Sequence, residues 1–421
     1  MTPEINTLAI ALLIIFLLLW NLDFIATLLN LKSLRPELPA EFRDTLDAEK
    51  YAKSQDYTRA SSRYHLITAT WSLTLLLVFW WMGGFGWIDT HSRALGGSIL
   101  IIGLIYIGVL YIGNYLLNLP FEIYDTFVLE ERFGFNKTTK GTFIADQIKS
   151  LILTALIGIP LIAGILWIFN NVDHAWLWAW GGVTVFTLLL TYLAPSLILP
   201  LFNKFEPMPD GELKDAIHKM AERCEFPLTE ISIMDGSRRS AKSNAFFTGF
   251  GKRKKIALYD NLIEQQTTEE LVAVLAHEIG HFKRKHIVQR MVLSVVQMGV
   301  IFFLIGLVVD ADNAFSQQLY PAFGIPQERA APHHGLVLFM LLFKPVSLFL
   351  NVAMNAWSRK HEFEADAYAA EVQGTPAHLI TALKKLSADN LSNLTPHRLR
   401  VILDYSHPPV TERIAALQKL A

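Results

Sequence analysis

The chain has 421 residues, of which 52% are hydrophobic and 18% charged, and its formal net charge is −1. A soluble domain usually carries about a quarter charged residues, so this composition excludes a disordered chain and a strongly basic nucleic-acid binder and argues against a wholly soluble enzyme. Cys224 is the only cysteine, which excludes an intramolecular disulfide and a thiolate zinc centre and leaves a small buried hydrophobe.

Seven apolar runs are long enough to cross a bilayer as helices, because lipid offers backbone polar groups no outside partner. In chain order they are 5–29, 66–87, 95–119, 151–169, 176–201, 291–309 and 335–357. The first is too long for a cleavable signal and has no basic residues before it. Trp80, Trp81, Trp87, Trp176, Trp178 and Trp357 stand at run ends, where an amphipathic ring suits the membrane interface. Asn21, Asp23, Asn114 and Lys344 are costly in lipid and are expected to face a bundle interior or water. Of 37 Lys and Arg residues, 34 fall after runs one, three, five and seven. That side should be cytoplasmic, with the N-terminus outside and the C-terminus inside.

The division expected is 1–201 for spans one to five, 202–290 for a first polar segment, 291–357 for spans six and seven, and 358–421 for a second. Within 202–290, 243–250 and 255–259 read as strands joined by a turn at Gly251. Thr267 and Glu270 form a capping-box signature that starts a helix. Two to three turns on, 277–281 reads His-Glu-Ile-Gly-His. Histidines at i and i+4 share one helical face and can bind one zinc, with Glu278 acting on the water. Gly280 is a poor helix former, so another backbone or a substrate is expected to approach it closely. His286 would lie about 140° around the same helix from His281 and outside that metal site. His333 and His334 fall on the opposite membrane side.

Zinc needs a third protein ligand and an open position. Arg284 and Ile287 stand where the long metzincin pattern needs Gly and His, which excludes that class. Glu362 and Asp366 share a helical face, so Glu362 can complete a His-His-Glu set. Asp366 can then accept a hydrogen bond from a ligand imidazole.

These motifs resemble the type I CAAX prenyl endopeptidase family of integral-membrane zinc metalloproteases. The likeness spans nearly the whole chain. It rests on Leu119-Pro120-Phe121, Thr126–Glu131 with Gly134-Phe135-Asn136, Ala194-Pro195 to Phe205, Ser243–Phe247, the His277 and Glu362 motifs, and Tyr405–Pro409 followed by Glu412-Arg413. It implies a mainly α fold, with seven transmembrane helices enclosing a water-filled chamber and a gluzincin-like zinc domain carrying a small sheet. It implies one zinc ion held by His277, His281 and Glu362, with Glu278 as base. Asn244 and His407 would flank the substrate, with Arg413 supporting that region. An exposed strand edge at Asn244 can pair with an extended peptide, and His407 can stabilise an oxyanion. Phe246 and Phe247 read as core.

The expected partners are a peptide or protein substrate, prenylated or not, and the lipid bilayer. No nucleic acid is expected, and the chain is read as a monomer. The compact loop between spans six and seven, and the lack of a retrieval signal, point to a bacterial cytoplasmic membrane, with the endoplasmic reticulum as the alternative. Membrane-protein turnover would then be a plausible task. An intramembrane protease of the site-2 type needs its zinc helix in lipid, which Glu269, Glu270 and Lys283–Lys285 oppose. A seven-helix transporter or receptor would leave the zinc constellation without a use.

Overall fold

The computed structural model describes residues 2–248 and 254–420. Apart from shorter helical turns, its helices are α1 (Thr7–Lys32), α2 (Ala48–Trp81), α3 (Gly84–Ala94), α4 (Ile99–Tyr124), α5 (Lys140–Asn171) and α6 (Ala175–Leu197). They continue as α7 (Glu212–Arg223), α8 (Thr268–Lys283), α9 (His286–Val309), α10 (Ala314–Ala322), α11 (Pro332–Gln373), α12 (Ala377–Asp389), α13 (Arg398–Asp404) and α14 (Val410–Gln418). Among the described residues, seven helical spans are long and apolar enough to cross a membrane: α1, α2, α4, α5, α6, α9 and α11, with α4 and α6 continued by helical turns. No more than 17% of any span's most apolar stretch is buried inside the protein, so most span residues are not packed against other parts of the chain.

Three features differ from the sequence reading. The second span ends at Trp81, and Gly83 turns the chain at a φ of 74° into α3, so Trp87 lies outside that span. Span seven does not stop at Trp357. Nothing breaks the helix until Gly374, which caps α11 at a φ of 70°. The boundary expected between 357 and 358 therefore falls inside one helix of 42 residues. Helix α8 also does not run on into span six. Lys285 adopts a φ of 59°, and the chain restarts in a new direction as α9.

A four-stranded sheet has the order β1-β2-β4-β3, with β1 (Phe205–Pro207), β2 (Leu228–Met234), β3 (Ala245–Thr248) and β4 (Lys254–Tyr259). β2 and β4 are parallel, whereas β3 pairs antiparallel with β4, placing Ala245 opposite Leu258 and Phe247 opposite Ile256. β3 is thus an edge strand. The turn expected at Gly251 lies outside the described residues. Phe247 packs against the domain core, and Phe246 sets its ring edge-on to Tyr259.

The two largest cores among the described residues lie at opposite ends. One joins α7, α8, α11, α12 and the sheet, through Ile217, Cys224, Ile256, Leu271, Leu275 and Leu379. Full burial of each such leucine or isoleucine contributes about 1.5–3 kcal/mol, more than a helix cap, so this packing fixes where α8 lies. The other core closes the far end. There Trp80 stacks on Phe323 with ring centres 4.6 Å apart, and its indole N–H donates to Ala322 O at 2.7 Å. His333 and His334 are buried at that end beside Asp89, with His334 Nε2 3.0 Å from Asp89 Oδ1.

Candidate metal centre

Helix α8 begins as the sequence dictates. Thr267 Oγ1 accepts from Glu270 N–H, and the Glu270 carboxylate accepts from Thr267 N–H at 2.8 Å. With the start fixed, His277, Glu278 and His281 fall at set points of the helix. Helix α11 crosses α8 at Gly280. A Cβ on Gly280 would stand 3.1 Å from the Ala365 Cα and 3.2 Å from its carbonyl oxygen. A side chain there would press on the α11 backbone, so glycine suits this close approach. The approach carries Glu362 to the two histidines.

Glu362 Oε2 lies 3.4 Å from His277 Nε2, and Glu362 Oε1 lies 3.3 Å from His281 Nε2. A tetrahedral zinc with bonds of about 2.1 Å spaces neighbouring ligand atoms about 3.4 Å apart. The spacing therefore fits one ion between the three groups. Glu362 is 2% exposed, and its Oε2 has no hydrogen-bond partner among the described residues. The Arg413 guanidinium stands 3.6 Å away, too far for a hydrogen bond, so this buried oxygen keeps a lone pair that a metal ion can take. The surroundings favour positive charge. Burial opposes a charged His277, but Asp366 and Glu362 outweigh it and push its pKa up to about 9. Two imidazoles and a carboxylate are a zinc set.

Glu278 lines the same cavity as His277 and Glu362, a space of about 590 Å³ that also meets Asn244, His407 and Arg413. Burial pushes the Glu278 carboxyl above the ordinary range, with the Glu362 charge adding to it. Its place in the cavity beside His277 suits a group that takes up a proton from water. His407 stands on the loop after α13 with its Nε2 3.5 Å from Glu362 Oε1. Arg359 holds that loop by donating to Val401 O at 3.1 Å and Tyr405 O at 2.7 Å. Asn244 is exposed at the start of the β3 edge, and its carbonyl accepts from Tyr259 N–H at 3.1 Å. Arg413 is 8% exposed and makes a two-point pair with Asp366, at 2.6 and 2.8 Å. Asp366 Oδ1 in turn lies 2.8 Å from His277 Nδ1.

All eight residues singled out from the sequence thus converge on one site. Arg413 is turned toward Asp366 more than toward open space. Arg359 was missed, because its task depends on a contact with carbonyls more than 40 residues away. Lys242 was missed likewise. It anchors the lead-in to β3 through Glu130 Oε2 and Tyr57 Oη, both at 2.8 Å.

Comparison with known proteins agrees with this geometry. Residues 27–204 match the family model described as the CAAX prenyl protease N-terminal region with five membrane helices. Residues 207–421 match peptidase family M48. The chain is 36% identical to CAAX prenyl protease 1 of Saccharomyces cerevisiae, covering 90% of this chain and 88% of that one. It is 31% identical to the human CAAX prenyl protease 1 homolog, covering 91% and 89%. The crystal structure of S. mikatae Ste24p superposes with a TM-score of 0.89 at 34% identity, covering 99% of both chains. These relatives are eukaryotic and lend no support to a bacterial membrane.

Proposed function

The chain belongs to the CAAX prenyl protease 1 family of M48 peptidases, integral-membrane zinc metallopeptidases, and from that premise we propose that His277, His281 and Glu362 hold one zinc ion that serves peptide hydrolysis. The observation that carries this reading is that the three side chains bring ligand atoms within 4.8 Å of one another, with Glu278 in the same cavity. Bound zinc supplies a Lewis acid that activates water and polarises a carbonyl. Glu278 takes the proton as water attacks the scissile carbonyl, then gives it to the leaving amine. His407 donates a hydrogen bond to the developing oxyanion. The edge of β3, beginning at Asn244, pairs with the extended substrate and fixes the scissile bond. Asp366 fixes the His277 tautomer, and Arg413 acts through Asp366.

The proposed substrate is a protein or peptide ending in a prenylated CAAX sequence, which loses its C-terminal tripeptide. The relatives' printed names support this choice. The spans' low burial, and exposed polar side chains such as Asn114 and Glu122 on span three, support a water-filled chamber between the helices. The chain is read as a monomer in the bilayer, with the zinc domain on the basic, cytoplasmic side.

The test compares cleavage of one CAAX peptide with and without a farnesyl group on its cysteine, using purified protein and Glu278→Gln as the blank. A higher kcat/KM for the farnesylated peptide is expected. Equal values would remove the prenyl requirement and favour a general membrane-protein hydrolase.

A further inference from the structure

His286 opens α9 and is 1% exposed. Its Nδ1 lies 2.9 Å from His281 Nδ1, and its Nε2 lies 2.9 Å from Glu364 Oε2. Two imidazole nitrogens at this separation share one hydrogen, so one donates and the other accepts. His281 faces Glu362 through Nε2, which is the side a metal ion would take. That nitrogen must offer a lone pair, so the proton of neutral His281 sits on Nδ1. His281 Nδ1–H then donates to His286 Nδ1, which must be bare. The proton of His286 is left on Nε2, where it donates to the Glu364 carboxylate. Every hydrogen position follows from the first.

We infer that His286 and Glu364 form a relay that sets the tautomer and ring angle of His281, a positioning role that rests on the zinc reading above. The other ligand histidine has the same kind of support in shorter form, since His277 Nδ1 meets Asp366 directly at 2.8 Å. One ligand reaches its carboxylate at once and the other through an interposed imidazole. Two features hold the relay in place. The left-handed Lys285, at a φ of 59°, breaks the helix and turns His286 back toward His281. On one continuous helix the two rings would point about 140° apart. His361 supplies a flat support, its ring stacked on His286 at 3.8 Å and 5°. Glu364 stands on the helix that carries Glu362, so one element ends the relay and completes the ligand set.

The experiment measures zinc affinity of the purified full-length protein by competition with a chelator. His286→Phe keeps a ring for the stack and removes both hydrogen bonds. Glu364→Ala removes the end of the relay at a side chain that is 38% exposed, where folding is not at stake. His286→Gln restores one acceptor and one donor. His286→Phe is expected to weaken zinc binding about 10- to 100-fold, the usual effect of losing such a partner. Glu364→Ala should weaken it several-fold, and His286→Gln should recover most of the affinity. Unchanged affinity in Glu364→Ala would overturn the relay, as would equal losses in His286→Phe and His286→Gln, which mark lost packing alone. Two zinc ions per chain, falling to one in either His286→Phe or Glu364→Ala, would also overturn it, in favour of a second cation among His286, His361 and Glu364. Glu362→Ala runs beside them. If it binds zinc normally, the ligand assignment itself fails. If it alone loses zinc, only the relay fails.

Discussion

Glu278 and Glu362 are both glutamates in one cavity, yet their neighbours divide their tasks. Glu362 stands between two imidazole nitrogens at 3.3 and 3.4 Å, the place of a ligand. Glu278 follows His277 on α8 and turns into the cavity, and burial raises its pKa above the ordinary carboxylate value. Glu278→Gln should therefore keep its zinc and lower kcat by about 100-fold or more, as loss of a general base does. Elemental analysis and a peptide cleavage assay check the two halves separately, and full peptidase activity would sink the mechanism. At this scale the sequence was most readable where function follows helical spacing. His277, Glu278 and His281 declare themselves at i, i+1 and i+4, and Glu362 with Asp366 at i and i+4. His286 was misplaced because its position depends on a left-handed lysine. No spacing rule reports that, since a non-glycine residue takes this conformation only where tertiary packing compensates it.

Between elements, the site depends on how closely α8 and α11 cross. Gly280 meets the Ala365 backbone, which cannot swing aside as a side chain can. Buried Ala273, Ala276 and Ala369 keep neighbouring surfaces small. Gly280→Val should force the helices apart, cost about 1–3 kcal/mol as overpacking does, and draw Glu362 away from both histidines. A lower Tm together with reduced zinc content is expected; normal zinc content in a destabilised protein would uncouple the crossing from the ligand geometry. The start of α8 was legible because a capping box is local chemistry. The close approach at Gly280 was legible as a need, but its partner was not. The ends of the spans were the weakest reading, since hydropathy marks where lipid begins and not where a helix stops. Helix α11 continues past the apolar run with charged residues that suit a helix in water.

For the molecule as a whole, the near-zero net charge conceals a strong asymmetry, with 34 of 37 basic residues in the segments expected on one side. Cys224 is 3% exposed and should be silent toward a membrane-impermeant maleimide, so single cysteines can report sidedness. In sealed vesicles with the cytoplasmic face outward, Glu371→Cys should label directly and His91→Cys only after detergent; the reverse pattern would invert the proposed orientation. The seven spans were legible one by one, because each is a contiguous run. How they join to the catalytic half was not, because that junction is the uninterrupted α11. At 1.5 Å per residue its 42 residues extend about 63 Å. Pro345 is its one interior proline, and Glu362 stands about 26 Å beyond it. A tilt of about 5° at Pro345 would swing Glu362 by about 2 Å, as much as a zinc–oxygen bond is long. Span seven is therefore one rod shared by the bilayer and the ligand set, and any movement of its membrane half is either taken up at Pro345 or passed along the rod to Glu362.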